Sequence, residues 1–223
     1  MDSIRKAAPE SAPAAQGDGP RVVLATRNAG KIAELAGPLG AFGVSLVGLD
    51  AFPEIGEIEE NGDTFEENAL IKARAVALAT GLVSVADDSG LMVEALGGAP
   101  GVHSARYADD WAMLPGEDRD RRNIRKLLDA LREVPEARRG CRFVTVMAAV
   151  RPDGRELTVR GEWEGRLLMS PRGNNGFGYD PVFFDPVIGR TAAELSREEK
   201  TARSHRGKAA RELLARWGDF MRA

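Results

Sequence analysis

The chain has 223 residues, of which 43% are hydrophobic and 29% are charged, and its formal net charge is −3. This length and composition are typical of a globular protein with one large domain or two closely joined lobes. The near balance of charge argues against a general nucleic-acid binder, whose basic face raises the pI. No apolar run approaches the roughly 20 residues of a membrane span, so we expect neither nucleic-acid nor membrane partners.

The first 20 residues are rich in Ala, Pro, Ser and Gly and lack the apolar core of a secretory signal. They predict a disordered tail at 1–20, followed by a folded domain at 21–223. The single cysteine, Cys141, cannot form an internal disulfide, and its neighbours Phe143 and Val144 indicate the end of a strand rather than a reactive site. We therefore expect a cytoplasmic protein.

The first third of the domain alternates strand and helix. A short apolar run at 21–26 predicts a strand, and apolar residues at helical spacing predict a helix over 31–39. A second strand is expected at 44–47. The acidic stretch at 54–63 has no apolar period and predicts a loop.

A second helix is the most clearly marked element. The residues Thr64 to Glu67 match a capping box, and apolar residues then repeat at helical spacing, which predicts a helix over 65–80. A buried strand is expected at 82–86. The polar residues 87–90 then come at the end of a buried strand, a common position for chemistry.

The remaining elements complete an α/β pattern. They are a helix at 123–131 ended by Pro135, a hairpin of strands 142–150 and 156–163 around a turn at 152–154, a Gly/Asn-rich loop at 173–179, a strand at 181–184 and a terminal helix at 205–221. Strands and helices alternate before a hairpin follows, so we predict an α/β fold with a mixed sheet.

The loop Thr26-Arg27-Asn28-Ala29-Gly30-Lys31 joins the first strand to the first helix. Free backbone N–H groups, the helix dipole and a lysine converge there, which suits a phosphate group. The loop is not a Walker A motif, because Ala25 and Ile32 replace residues that this motif requires. A tight turn at a helix start is the alternative interpretation.

Carboxylates gather around the third predicted strand. Asp87 and Asp88 follow that strand, and Glu59 and Glu60 lie in the acidic loop before it. Oxygen ligands without accompanying Cys or His clusters favour Mg²⁺ over zinc, and such a carboxylate can also orient or deprotonate water. The alternative is an Asx turn at Asp87 and Asp88, and for Glu67 we favour the capping role.

Three further groups suit a nucleotide. Asn68 and Lys72 share a helix face, so the lysine can point at an anion, although a solvated lysine is the alternative. The segment 176–181 places two aromatic residues among glycines, as in a base-stacking loop, or forms a simple bend. Lys200 and the basic segment 204–208 can contact a base or phosphates, or form a solvated face.

Six motifs, read in order, carry a resemblance to a known family. They are TRNAGK (26–31), FEENALIKA (65–73), ADDSGL (86–91), GGAPGVHSARY (97–107), GFGYDP (176–181) and SHRGKA (204–209). This series resembles the inosine/xanthosine triphosphate pyrophosphatase family. The resemblance implies a two-lobed α/β fold with a long mixed sheet flanked by helices, a nucleotide cleft between the lobes and a homodimer. It also implies Mg²⁺-dependent hydrolysis of ITP, dITP and XTP to the monophosphate and pyrophosphate.

The resemblance assigns roles by matched position. Asp88 is expected to bind magnesium and to act as catalytic proton acceptor, and Glu60 is expected to share the metal. The expected substrate contacts are Thr26, Arg27, Asn28, Ala29, Gly30, Lys31, Lys72, Ser89, Phe177, Gly178, Tyr179, Asp180, Lys200, His205 and Arg206. Two departures from the family pattern are the tail and a longer loop at 109–120.

Two rival functions stay open at this point. One is a pyrophosphatase for pyrimidine or modified nucleotides, and the other is a nucleotide-binding module without catalysis. The aromatic segment with His205 and Arg206 favours the purine substrate, and the acidic pair Asp87 and Asp88 favours catalysis. A 6-keto purine would accept hydrogen bonds from His205, Arg206 or a backbone N–H, but no residue that would reject the 2-amino group of guanine is identified.

Overall fold

Seven strands form one mixed sheet in the computed structural model, which describes residues 19–222. The spatial order is β2-β1-β3-β4-β5-β6-β7. The strands are β1 (Arg21–Leu24), β2 (Ser45–Gly48), β3 (Val83–Val93), β4 (Gly140–Val150), β5 (Glu156–Leu167), β6 (Phe183–Asp185) and β7 (Arg190–Thr191). The pairs that β1 forms with β2 and β3 are parallel, and the others are antiparallel. The predicted α/β class with a mixed sheet is confirmed.

Five α-helices flank the sheet within the described range 19–222. They are α1 (Ala29–Gly40), α2 (Phe65–Thr80), α3 (Arg119–Ala130), α4 (Arg197–Arg203) and α5 (His205–Met221). Alternate residues of the strands point to opposite faces, so one face packs against α1 and α5 and the other against α2. A third apolar cluster joins α3 to the far ends of β3, β4 and β5. None of the helices described is long and apolar enough to cross a membrane.

The sequence predicts α2 correctly at both ends. The Thr64 hydroxyl accepts from the Glu67 amide, and the Glu67 carboxylate accepts from the Thr64 amide, so the capping box is confirmed. The helix ends where Gly81 adopts a left-handed φ of 65°, a conformation that is unstrained only for glycine. The helix therefore places Asn68 and Lys72 at fixed positions against the sheet.

The prediction that a strand ends at Ala86 is wrong. β3 continues to Val93 because β4 pairs with it from Ser84 through Val93. The polar segment 87–90 therefore lies within a strand, and neither Asp87 nor Asp88 forms a turn. β1 stops at Leu24, opposite Val85, so beyond this point β3 has a strand neighbour on the β4 side only.

The predicted start of α3 is also wrong. The helix begins at Arg119, because the Asp118 carboxylate accepts from the amide of Arg121 and caps it. The end of the predicted 109–120 loop is therefore helical. The loop itself is held against α3 by ion pairs of 2.5 Å between Arg122 and Asp109 and of 2.6 Å between Lys126 and Asp110.

The structure describes Cys141 but only the last two residues of the predicted tail. Apart from residues 19 and 20, the tail at 1–20 lies outside the described residues. The Pro20 carbonyl accepts from the amide of Ser45 and so joins the edge of the sheet. Cys141 is buried near the start of β4, and desolvation raises the pKa of its thiol. This agrees with a structural cysteine rather than a reactive one.

Candidate functional site

A cleft lies along the part of β3 that extends beyond β1. It contains a cavity of about 130 Å³ whose walls come from α1, β3, β4, α3, the loop before β6, and α5. The lining residues include Asn28, Lys31, Ser89, Phe143, Phe177, Gly178, Tyr179, Asp180, His205 and Arg206. Segments far apart in the sequence therefore converge on the part of β3 that extends beyond β1.

The TRNAGK loop forms the start of α1 as predicted. Asn28 caps the helix by accepting from the amide of Lys31 at 3.1 Å, and Thr26 accepts from the amide of Asn28 at 3.1 Å. A Cβ atom at Gly30 would come within 2.6 Å of the Phe177 ring. Glycine at this position therefore allows the GFGYDP loop (176–181) to approach the TRNAGK loop (26–31).

Arg27 points out of this loop toward the acidic loop. Its guanidinium donates to the carbonyl of Ile55 at 2.5 Å and to the carbonyl of Gly56 at 3.3 Å. These contacts connect the TRNAGK loop to the segment that carries Glu60.

Asp87 lies on the α1 and α5 side of β3. One oxygen, Oδ2, is 3.0 Å from Lys31 Nζ and 3.3 Å from Arg206 Nε, and it accepts from the Ser89 hydroxyl at 2.8 Å. Burial acts to raise the pKa of Asp87, but Lys31 and Arg206 outweigh it, so the pKa lies below its ordinary value. The other oxygen, Oδ1, is buried without a partner among residues 19–222. Asp87 is thus an ionised counterion for two cations.

Asp88 lies on the α2 side. Its carboxylate accepts from the Asn68 amide group at 3.3 Å and from the Ser89 backbone amide at 3.0 Å, and it is 3.7 Å from Lys72 Nζ. Lys72 makes a closer pair with Glu60, at 2.8 Å. Burial raises the pKa of Asp88, and the attraction of Lys72 offsets this only in part. Asp88 is therefore the more basic of the two neighbouring carboxylates.

The GFGYDP loop closes the opposite wall. The Phe177 amide donates to Asp180 Oδ2 at 2.9 Å, and Asp180 also pairs with Lys200. Lys200 and Arg206 both lie 5.1 Å from the centre of the Phe177 ring, which is within the range of cation–π attraction. The Gly178 amide donates to Asp120 of α3 at 2.6 Å. An aromatic ring therefore covers two buried cations.

His205 and Tyr179 are two buried residues that line the cavity. The His205 ring stacks on Phe143 with centroids 4.9 Å apart, and its Nδ1 is buried without a hydrogen-bond partner among the residues described. Desolvation, together with the nearby cation of Arg206, lowers the pKa of His205 well below its ordinary value. Tyr179 donates its hydroxyl to the Ser104 carbonyl at 2.8 Å, so it contributes its ring to the cavity.

Many of the predicted residues line this cavity, and others lie outside it. Lys31, Ser89, His205 and Arg206 line the cavity, whereas Lys200 lies behind Phe177 and is paired there. Lys72 and Glu60 lie on the other side of β3, next to Asp88. Ala29, the first residue of α1, has an exposed side chain.

Glu34 was not predicted from the sequence as a site residue. Its carboxylate lies 2.5 Å from Lys200 and 2.9 Å from Arg206, so it holds both cations in place. Glu34 is three residues after Lys31 and therefore shares a face of α1 with it. That spacing was an available signal.

The donor atoms near Asp88 fit a hard divalent cation. Within residues 19–222 no cluster of three or more His, Cys, Asp or Glu side chains is arranged to hold a metal. Mg²⁺ is commonly held by one or two carboxylates together with substrate phosphates and water. Glu60 and Asp88 share Lys72 as a counterion, and Asp87 offers a buried, unpartnered oxygen nearby. The oxygen-rich set therefore agrees with the expected magnesium.

Fold and site define an α/β protein in which buried lysines and an arginine surround two adjacent buried carboxylates of one strand. The Ham1 family profile matches residues 22–216, and the chain belongs to this family. A Nitratidesulfovibrio vulgaris protein named dITP/XTP pyrophosphatase is 63% identical over 201 residues, covering 90% of this chain and 97% of its own. An Escherichia coli O157:H7 protein of the same name is 51% identical over 199 residues, covering 87% and 96%. The structure of a HAM1 protein from Coxiella burnetii has a TM-score of 0.79 and 42% identity, covering 89% and 98%.

Proposed function

We propose that this protein hydrolyses non-standard purine nucleoside triphosphates, namely ITP, dITP and XTP, to the monophosphate and pyrophosphate. One observation carries the proposal: the adjacent buried carboxylates of Asp87 and Asp88 bring Lys31 and Arg206, on one face of β3, next to Lys72 on the other, and both lysines act on the pKa of Asp88. Relatives named dITP/XTP pyrophosphatase, at up to 63% identity, support it.

The cations would bind the triphosphate. Each is already fixed by a carboxylate partner, with Lys31 on Asp87, Lys72 on Glu60 and Arg206 on both Asp87 and Glu34. Positioned charges in a cleft of low dielectric stabilise the developing charge of phosphoryl transfer without reorganising. The free backbone N–H groups at the start of α1 add to this field.

Asp88 would act on the attacking water. A water that hydrogen-bonds to its carboxylate is oriented toward the α-phosphorus and loses its proton to Asp88 as the P–O bond forms. Because burial raises the pKa of Asp88, the carboxylate is a better proton acceptor than an exposed aspartate. Pyrophosphate then leaves, and the proton passes from Asp88 to solvent.

Glu60 and Asp88 are the residues that would hold magnesium. When bound, this cation neutralises phosphate charge and lowers the pKa of a coordinated water. Lys72 lies between the two carboxylates and within 4 Å of both. Its positive charge would therefore reduce the electrostatic repulsion between Glu60 and Asp88 before the cation binds.

The aromatic loop would select the base. Phe177 offers a ring face for stacking, and His205 and backbone N–H groups of the same cavity would donate to the 6-keto oxygen of hypoxanthine or xanthine. Adenine carries an amino donor at that position and would leave these donors unpaired. Asp180, held by Lys200 and the Phe177 amide, fixes the loop.

The experiment is a hydrolysis assay with Mg²⁺ that compares ITP, dITP, XTP, GTP, ATP and a pyrimidine set, with the products identified. We expect pyrophosphate as the first product and much faster hydrolysis of ITP, dITP and XTP than of ATP. Faster hydrolysis of a pyrimidine or modified nucleotide would favour a pyrophosphatase for those nucleotides. Binding without turnover would favour a nucleotide-binding module without catalysis. Light scattering on the same preparation tests the homodimer that the family resemblance implies.

A further inference from the structure

Thr145 is a buried hydroxyl in an otherwise apolar stretch of β4. The residues around it, Val144, Val146 and Met147, are apolar, and the side chain of Thr145 has 0% exposure. Thr145 is directly opposite Ser89 in the pairing of β3 with β4, so the two side chains share a face of the sheet. The large majority of buried polar side-chain atoms have a hydrogen-bond partner.

Three hydrogen-bond contacts link Thr145 to the segment Asp87-Asp88-Ser89 of β3. Its hydroxyl oxygen lies 2.5 Å from Ser89 Oγ and 3.2 Å from the carbonyl oxygen of Asp88. Ser89 Oγ in turn lies 2.8 Å from Asp87 Oδ2. Thr145 is therefore connected to both residues of the aspartate pair without touching either carboxylate.

The number of hydroxyl protons decides which group donates in each of these hydrogen bonds. Ser89 and Thr145 have one hydroxyl proton each, so at most two of the three contacts are hydrogen bonds at one time. An ionised carboxylate is the strongest acceptor present, so the Ser89 proton goes to Asp87. The Thr145 proton then goes to Ser89, across the shorter of its two contacts, and the chain runs from Thr145 through Ser89 to Asp87.

We propose that Thr145 is a positioning residue that fixes the Ser89 hydroxyl at the floor of the substrate cleft. The inference rests on the proposed function, since Ser89 is matched to a substrate contact. With a valine at this position, apolar methyl groups would face the Ser89 lone pairs, and Ser89, which lines the cavity, would turn its oxygen toward the cavity, where water can donate to it. Ser89 would then turn away from Asp87.

The kinetic test is a double-mutant cycle with Thr145→Val and Ser89→Ala, assayed with ITP and Mg²⁺. A positioning role predicts that Thr145→Val raises KM about 5- to 10-fold, the effect of one neutral hydrogen bond, with little change in kcat. Thr145→Ser restores the hydroxyl and is expected to restore KM. In the Ser89→Ala background, Thr145→Val should have no further effect, whereas additive losses would overturn the proposal.

The matched control is Ser84→Ala, which removes a buried hydroxyl from β3, the strand that carries Ser89. Ser84 Oγ has no hydrogen-bond partner among the residues described, so this variant should leave KM unchanged. If Thr145→Val does not fold, Thr145→Ala is used in the same cycle.

A crystal structure of the Thr145 variant tests the arrangement separately from activity. We expect Ser89 Oγ to lie beyond hydrogen-bond distance of Asp87 Oδ2, and an unchanged Ser89 rotamer would overturn the proposal. If the wild-type protein released no pyrophosphate, the proposed function would fail, but this structure would still decide whether Thr145 positions Ser89.

Discussion

Asp87 and Asp88 are adjacent in the sequence but point to opposite faces of β3. Asp87 contacts Lys31 and Arg206 on one side, and Asp88 contacts Asn68 and Lys72 on the other. The pKa of Asp87 is lowered and that of Asp88 is raised. The alternation of a strand therefore gives two identical side chains different chemistry, one as a counterion and one as a proton acceptor.

Replacing Asp87 is expected to cost more stability than replacing Asp88. Asp87→Asn leaves Lys31 and Arg206 without their shared carboxylate, and breaking a buried pair in this way costs about 3–5 kcal/mol. Asp88→Asn leaves Lys72 paired with Glu60 and should cost clearly less. Denaturant unfolding of both variants measures the difference, and equal losses would contradict the division of roles.

Asp88→Asn is expected to abolish most turnover while nucleotide binding persists. Removing a general base typically lowers kcat about 10²- to 10⁴-fold. The amide keeps the shape of the side chain, so calorimetry should still detect binding of ITP. Asp50→Asn, at an exposed position, is the control and should retain full kcat. Full turnover by Asp88→Asn would remove the catalytic assignment.

Arg27→Ala is expected to loosen the acidic loop. The variant loses the hydrogen bonds to the Ile55 and Gly56 carbonyls, and we expect amide exchange across 54–62 to accelerate about 2- to 5-fold. Arg21→Ala removes an exposed arginine from β1 and is the control. Unchanged exchange in the loop would show that Arg27 does not hold it.

His205 is expected to make folding stability depend on pH. Its folded pKa is depressed below the ordinary 6.5, so the unfolded chain binds the proton more readily. The stability that neutral His205 contributes is complete above about pH 6.5 and is lost as the pH falls toward the folded pKa, by up to about 1.4 kcal/mol per pH unit.

The measurement compares the free energy of unfolding at pH 7.5 and 5.5. Wild-type protein should lose stability on acidification, and His205→Gln should lose less. The only other histidine, His103, is exposed, so His103→Gln should behave like wild type. An equal loss in His205→Gln would refute the assignment.

Local signals predicted some elements well. The ends of α2 were correct because a capping box and a C-terminal glycine act within a few residues. The predicted extent of β3 was wrong because it depends on pairing with β4, whose residues lie 60 positions away at the Asp87–Met147 pair and 48 positions away at the Val93–Cys141 pair. Pairing with a neighbouring strand can extend a strand beyond its apolar residues, and the local sequence does not show where that neighbour lies.

The site shows the same division. Lys72 and Asn68 were expected on one helix face, and both do contact Asp88. The pairing of Glu34 with Lys200 joins residues 166 positions apart, and no local pattern predicts it. The family resemblance identified Lys200 and Arg206, and helical spacing places Glu34 on the same face of α1 as Lys31, but the contact of Glu34 with both cations is seen only in the structure.

The site of water attack tests the central claim most directly. Hydrolysis of ITP in H₂¹⁸O, followed by mass analysis of the products, reports which phosphorus the water reached. Attack on the α-phosphorus next to Asp88 predicts ¹⁸O in the inosine monophosphate and unlabelled pyrophosphate. Label in the pyrophosphate, or orthophosphate as the first product, would contradict the account.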